Sequence, residues 1–382
     1  MLLASSGAVL VLAAVAGVSI ASPIAMPLYR ATPLPLPRPI TDDYSALTND
    51  GFAAFTVYPP VEVQGLYAQG LVVNTRTGTS SLVAPIPGAV RAYLRDINES
   101  GTAVGTTVPM SSAGTAGPTV YRNGVAEILP EHRVGSGMAF AINDAGVIVG
   151  RTRDVRTGML KPAIWTEQSS GWSLSVLSTP TSRSGMAFDV NNAGVVVGLA
   201  ETSTTEVRPV VWREARLEIL PSLGGNFAQA VRINDAGQVV CMATDVTDEM
   251  RAYVWSDGHV TEIGTDLPGR IDVFDMNNAG DCVGSIAGRA FLYRNGVTMD
   301  LNQVVDNLDG GHFYRASAIN DYGEIIAMGS SIGGFSGVFA LTPVQVPGGT
   351  SIALFVVLAS ARRHRYCGSS QANRLFNWSR PS

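Results

Sequence analysis

Residues 141–150, AINDAGVIVG, set an Asn-Asp pair between two short apolar runs. In this segment Asn143 can accept a backbone hydrogen bond at the first position of a type I turn, and Gly146 supplies a left-handed conformation at the fourth. Apolar runs of this length on both sides are typical of strands. The segment therefore predicts a tight turn between two strands, with Asn143 and Asp144 as turn residues rather than catalytic or metal-binding ones.

The same pattern occurs seven times, at intervals between 43 and 50 residues. Six copies begin their turn with Asn, namely Asn98, Asn143, Asn191, Asn234, Asn277 and Asn320. A weaker copy has Thr48 at the same position. Self-similarity at a fixed period of this length is typical of repeat architectures, in which each unit is one supersecondary structure.

Each repeat has a second half, in which an apolar triplet ends in Trp or Tyr and a turn follows. The aromatic residues are Tyr121, Trp165, Trp212, Trp255 and Tyr293. Several of the following turns are two-residue hairpin signals, at Asn123-Gly124, Asp257-Gly258 and Asn295-Gly296. Four short strands per repeat predict an all-β fold, a β-propeller with seven blades of four antiparallel strands over residues 44–346. Small side chains on the first strands and aromatic ones on the third fit blades that spread outward from an axis.

The seventh repeat has GVFAL, residues 337–341, as a third strand but no fourth strand. Residues 28–34 are apolar and extended, and they can pair beside Val338–Leu341 to complete that blade. Such a closure removes the open edge that the ring would otherwise have. We therefore predict that the N-terminal strand closes the propeller.

Composition and charge limit the classes of function that the chain can have. The chain has 382 residues, 46% of them hydrophobic, which allows a sizeable core. Its net charge of −5 does not favour binding of nucleic acid, which is itself negatively charged. Residues 1–21 read as a secretory signal peptide, with an uncleaved anchor as the alternative, and residues 22–43 as an extended Pro-rich segment that includes the closing strand.

Two segments resemble a known family. LPSLGGNFAQAVRINDAGQVV, residues 220–240, is similar to the repeat of the extracellular HAF-repeat proteins, which pairs a Leu-Gly-Gly lead-in with an Ile-Asn-x-x-Gly hairpin. The last unit, from residue 300 onward, resembles the terminal unit of that family. The resemblance implies an exported repeat domain of propeller type, and it carries no catalytic residues over to this chain.

The C-terminal residues 346–365, VPGGTSIALFVVLASARRHR, resemble a PEP-CTERM-type sorting segment, although Pro-Gly-Gly replaces the Pro-Glu-Pro core. The apolar part is too short to span a bilayer as a helix. We assign residues 347–365 to this sorting segment and residues 366–382 to a basic and polar tail. The protein is therefore expected to be exported to the cell envelope or the extracellular space, with membrane contact only through its signal and sorting segments.

Motifs for catalysis or cofactors are not evident. GSSIG, residues 329–333, matches G-x-S-x-G but lies between strands rather than at a strand-to-helix turn. The turns have too few carboxylates for Ca²⁺, and the cysteines and histidines are too scattered for a metal site. We expect a monomeric, non-catalytic propeller that needs no cofactor or metal and binds glycan or a surface protein. The alternative is an enzyme acting on polysaccharide, a lyase or glycoside hydrolase.

Strand counting predicts where a ligand would bind. The first-to-second and third-to-fourth turns share one face, and the second-to-third connections and blade-to-blade links share the other. The latter include the polar segments 106–117, 151–160, 201–208, 244–251 and 302–315. Longer loops on a rigid scaffold are where binding residues accumulate. The candidate binding residues on this face are Arg151, Arg153, Asp154, Asp245, Asp248, Arg251, Asp309 and His312.

Overall fold

A computed structural model describes most of the repeat region. The described residues are 29–36, 40, 45–58, 68–83, 86–109, 117–131, 137–214, 216–264, 267–306, 308, 310–330 and 336–344. The predicted signal peptide, sorting segment and C-terminal tail lie outside these residues, and so does the candidate Asp309.

The described residues form seven units of four antiparallel strands, which we number as blades 1 to 7, and a single parallel bridge between Val207 and Phe227 joins blades 4 and 5 into one sheet. Blade 1 contains β2 Ala46–Leu47, β3 Phe52–Val57, β4 Gln69–Asn74 and β5 Ser80–Leu82. Blade 2 contains β6 Ala89–Ile97, β7 Ala103–Pro109, β8 Gly117–Arg122 and β9 Val125–Ile128. Blade 3 contains β10 Met138–Ile142, β11 Ile148–Arg153, β12 Leu160–Gln168 and β13 Gly171–Val176. Blade 4 contains β14 Gly185–Val190, β15 Val196–Glu201, β16 Val207–Arg213 and β17 Arg216–Ile219.

The remaining blades have the same order. Blade 5 contains β18 Gly224–Ile233, β19 Val239–Asp245, β20 Met250–Ser256 and β21 His259–Ile263. Blade 6 contains β22 Ile271–Met276, β23 Cys282–Ile286, β24 Arg289–Arg294 and β25 Val297–Asp300, followed by the short 3-10 helix η1 Leu301–Gln303. Blade 7 contains β26 His312–Ile319, β27 Ile325–Ser330, β28 Ser336–Pro343 and, from the N-terminus, β1 Tyr29–Pro33. The predicted all-β propeller fold is confirmed.

The N-terminal strand closes the ring as the outermost strand of blade 7. β1 pairs antiparallel with β28, with Tyr29 opposite Pro343 and Pro33 opposite Phe339. Tyr29 is fully buried, and its backbone also bonds to the segment after η1 through Val304 and Asp306. The prediction of an N-terminal closing strand is confirmed.

The core lies between the blades, where the faces of adjacent sheets meet. One cluster joins Val104 and Val120 of blade 2 to Ala139 and Trp165 of blade 3, and equivalent clusters occur at other seams. Alanines are buried on the first strands and large aromatics on the third. The indole N–H of the buried Trp165 donates to the carbonyl of Pro130 at 2.8 Å, which satisfies its polar atom.

Two faces follow from the strand order. The face that contains the Asn-x-x-Gly turns is called the Asn-turn face, and the other the opposite face. β27 leaves an Asn-x-x-Gly turn and β28 returns toward it, so Tyr29 and Pro343 both lie at the Asn-turn face. No helix among the described residues is long and apolar enough to cross a membrane.

The connections on the opposite face are shorter than the sequence suggested. β11 continues to Arg153 and β12 begins at Leu160, which leaves six residues between them. β19 and β20 leave only residues 246–249, and β23 and β24 only residues 287–288. The polar residues at the strand ends stay in the sheets because paired strands satisfy their backbone groups.

Candidate functional site

The first-position Asn of each turn joins neighbouring blades. In blade 3, Oδ1 of Asn143 accepts the N–H of Val147 at 2.9 Å, and Nδ2 donates to the carbonyl of Asn191 in blade 4 at 2.9 Å. The bond to the next blade recurs at the other five, Asn98, Asn191, Asn234, Asn277 and Asn320. The position needs an acceptor and a donor on one side chain, which Asn provides and ionised Asp does not.

Blade 1 departs from this pattern. Oγ1 of Thr48 accepts the N–H of Phe52 at 3.0 Å, which reproduces the bond within the turn. Among the described residues, no hydrogen bond joins the Thr48 side chain to the carbonyl of Asn98 in blade 2. The seam between blades 1 and 2 therefore lacks the bond that Asn side chains make at the other seams.

The next residue of each turn forms a second ring, which we call the turn ring. Its members are Asn49, Glu99, Asp144, Asn192, Asp235, Asn278 and Asp321. Each side chain accepts the backbone N–H of its counterpart in the preceding blade at 2.8–3.0 Å. The amide of Asn192 donates to the carboxylates on both sides, Asp144 and Asp235. Acids and amides alternate except between Glu99 and Asp144, because a ring of seven cannot alternate completely.

Next to the turn ring, three carboxylates each accept backbone N–H groups from two neighbouring blades. Asp96 in blade 2 accepts the N–H of Ile97 at 2.9 Å and, with its other oxygen, the N–H of Ile142 in blade 3 at 2.8 Å. Asp189 joins blades 4 and 5 in the same way, and Asp275 joins blades 6 and 7. Because one carboxylate provides for two blades, the blade that follows does not need an acid at this position.

An arginine of blade 5 lies among these carboxylates. Arg232 occupies the equivalent position in blade 5, and its Nε is 3.5 Å from an oxygen of Asp275. Burial raises the pKa of Asp96 to about 7, and the charge of Asp189 adds to the rise while the backbone N–H of Ile142 and Arg232 oppose it. Burial likewise raises the pKa of Asp275 to about 6 and raises that of Asp189.

These residues surround a cavity of about 200 Å³ that all seven blades line at the Asn-turn face. Its wall includes the turn ring, the three carboxylates, Arg95, Arg232 and Phe140. Within the described part of the chain, no group of three His, Cys, Asp or Glu side chains could hold a metal ion. The cavity is polar, and its carboxylates are already bonded to backbone N–H groups.

On the opposite face, the predicted acidic residues shape turns. Oδ1 of Asp154 accepts the N–H groups of Arg156 and Thr157 and the Thr157 hydroxyl, and these bonds lower the pKa of Asp154. Asp245 does the same in its own turn, where the hydroxyl of Thr247 is the main reason that its pKa falls to about 2. Both carboxylates are therefore engaged within their own turns.

The predicted site residues do not form one site. Arg151 and Arg153 lie together on β11 in blade 3. Arg251 lies in blade 5, paired with Asp245 at 3.2 Å and Glu249 at 2.8 Å. Asp248 has a left-handed backbone with φ of 65° in the same hairpin as Asp245, and His312 bonds through Nε2 to the carbonyl of Gly288.

Sequence reasoning missed the cavity residues. In the sequence, the carboxylates could have been recognised two residues before the first Asn of each turn. At this position Asp96, Asp189 and Asp275 occur in blades 2, 4 and 6, whereas blades 3 and 7 have Ala141 and Ala318. The pattern is visible once the repeats are aligned, but its meaning depends on which N–H groups lie nearby.

Comparisons with known proteins support the fold. The sequence matches no protein-family model and no curated protein. Among solved structures, the β-propeller domain of the Trilobed protease from Pyrococcus furiosus is similar, with a TM-score of 0.53 and 9% identity over 82% of this chain and 93% of that one. YCF48 bound to D1 peptide gives a TM-score of 0.52 at 11% identity, over 87% of this chain and 100% of that one.

The acylaminoacyl peptidase of Pyrococcus horikoshii gives a TM-score of 0.51 at 12% identity, over 80% of this chain. The chain spans about half of that peptidase, 51% of its length. At identities this low, the similarity shows the propeller fold alone.

Proposed function

We propose that this protein is an exported, non-catalytic binding propeller of the cell envelope or extracellular space, which binds glycan or protein through its opposite face. The observation that carries the non-catalytic part is the bonding of the cavity acids. Asp96, Asp189 and Asp275 each use both oxygens on backbone N–H groups. Each of these acids thus joins two blades, which favours a structural role for it over a catalytic one.

The first and last strands of the propeller, β1 and β28, bring Tyr29 and Pro343 side by side at the Asn-turn face. Arg151 and Arg153 lie at the other end of β11, toward the opposite face.

The experiment measures both the binding of polysaccharide and its cleavage. The purified full chain is incubated with envelope polysaccharide, and bound protein and newly formed reducing or unsaturated ends are measured. We expect binding without cleavage, and weaker binding after Arg151 and Arg153 are replaced by Ala than after Ala145→Gly in an Asn-turn. Polysaccharide cleavage that disappears in Asp189→Asn would refute the non-catalytic proposal and favour the lyase or hydrolase alternative.

Export and retention are tested separately. Deletion of residues 347–382 should move the protein from the envelope into the medium. Unchanged envelope retention after this deletion would show that the C-terminal segment has no such role.

A further inference from the structure

Arg151 has an unusual environment for an arginine. On β11 it lies opposite Met138 of β10 and Pro162 of β12, and its side chain reaches toward blade 4. Its Nη2 is 3.2 Å from Sδ of Met138, and its Nη1 is 3.6 Å from Sδ of Met186 in blade 4. Thioether sulfur is only a weak acceptor. The guanidinium is therefore held between two methionines that cannot neutralise it.

The charge of Arg151 is not compensated by a carboxylate. Among the described residues no acid forms an ion pair with it, and its buried Nε has no hydrogen-bond partner. Burial lowers the pKa of Arg151, and the positive charges of Arg153 and Arg95 lower it further. A partly buried cation without a counter-charge destabilises the fold. Such a cost is expected where a ligand supplies the missing charge.

Several other arginines on the protein surface are paired with acids. Described ion pairs include Arg122 with Glu167, Arg208 with Glu206, Arg251 with Asp245, and Arg270 with Asp272. In sequence, residues 151–161 contain four cations, Arg151, Arg153, Arg156 and Lys161, and one acid, Asp154, in a chain with a net charge of −5. That acid is bonded within its own turn.

We propose that the surface at Arg151, between blades 3 and 4, binds the carboxylate groups of an acidic polysaccharide. This inference rests on the proposed function and names its ligand. The planar guanidinium fork matches a carboxylate, and Arg153 and Arg156, which follow in the same stretch of chain, can meet further carboxylates along a polymer.

The flanking side chains favour a sugar acid over an acidic peptide. A uronic acid holds its carboxylate rigidly on a ring whose C–H face can pack against the thioethers of Met138 and Met186 and the Pro162 ring. A glutamate side chain has several rotatable bonds, and fixing them reduces the net gain on binding. We therefore expect a rigid carboxylate to bind more tightly than a flexible one.

The test measures binding of a galacturonate hexamer to the full chain by calorimetry at low and moderate salt. The fully methyl-esterified hexamer keeps the rings and removes the charge, and poly-L-glutamate keeps the charge and removes the rings. The variants are Arg151→Met, Arg151→Lys and, as the matched control on the same face, Arg270→Met. Arg270 is already paired with Asp272 at 3.2 Å.

We expect the hexamer to bind, more weakly at higher salt, and the ester not to bind. Loss of the charged contact in Arg151→Met should weaken binding about tenfold or more, with Arg151→Lys intermediate. Arg270→Met should change it by less than about twofold. Arg151→Met should also melt at the same or a higher temperature than wild type, because it removes the uncompensated charge.

Equal binding by wild type and Arg151→Met, an equal loss in Arg270→Met, or equal affinity for poly-L-glutamate would each overturn the inference. A wild-type chain that binds isolated envelopes but not the hexamer would overturn this inference alone. A chain that binds neither envelopes nor the hexamer would overturn the proposed function as well.

Discussion

Two reciprocal substitutions at the first turn position, Asn191→Thr in blade 4 and Thr48→Asn in blade 1, should change the stability of the protein in opposite directions. Asn191→Thr removes the bond from Nδ2 to the carbonyl of Asn234, which is 3.1 Å long. A Thr hydroxyl can keep the bond within the turn, as Thr48 does with Phe52. Thr48→Asn makes the reverse change and provides a donor for the carbonyl of Asn98.

The size of the effect follows from what remains bonded. The carbonyl of Asn234 still accepts the N–H of Gly237 at 3.0 Å, so Asn191→Thr does not leave it without a partner. The loss is then that of one ordinary hydrogen bond, about 1 kcal/mol, rather than the larger penalty of an unsatisfied buried group. Thr48→Asn should gain about as much.

Urea and thermal unfolding of the full chain measure both variants, and about 1 kcal/mol corresponds to a shift of about 2 °C. The two turns share no bonding partner, so the double variant should have wild-type stability. Asn191→Asp is the harsher control, because it places an acceptor and a negative charge against the Asn234 carbonyl. If Thr48→Asn destabilises the protein, or if the two single variants shift stability in the same direction, the assignment of the inter-blade bond is refuted.

Other predictions concern the second strands, the turn ring and pH. Gly198→Ala should destabilise the protein by about 2 kcal/mol or more in urea unfolding, because the added Cβ would be 2.0 Å from the carbonyl oxygen of Met186. Cys241 occupies the same position in blade 5, and Cys241→Ala should be nearly neutral. Asn192→Asp puts four acids in succession in the turn ring and should lower the melting temperature at pH 8, with recovery in 0.5 M salt. An equal loss at high salt would contradict an electrostatic cause. The pKa values of Asp96 and Asp275 are raised from 3.8 to about 7 and about 6, so their contribution to the free energy of unfolding is full below about pH 4 and is lost as the pH rises to about 7. Urea unfolding of the wild type between pH 4 and pH 7 checks this, and stability that rises steadily with pH over this range would contradict it.

The sequence alone determined the propeller fold and the closing strand. These depend on local chemistry: Asn and Gly at fixed turn positions, apolar runs of strand length, and a seventh repeat that lacks its fourth strand. Each of these features is written in consecutive residues, and the repetition of one short pattern makes the signal strong. The turn role of Asn143 follows from the same local rules.

The tertiary structure decided what the polar residues do. Asn143 reaches a carbonyl 48 residues away, and Asp96 an N–H 46 residues away. The sequence also suggested long loops around Arg151 and Asp245, where the strands in fact continue and the acids bond within short turns. Whether Arg151 has a counter-charge likewise depends on blade 4, which lies beside it only after folding. Hydrogen bonds and charges act over a few ångströms in space, so their partners are fixed by how blades pack and not by their order along the chain.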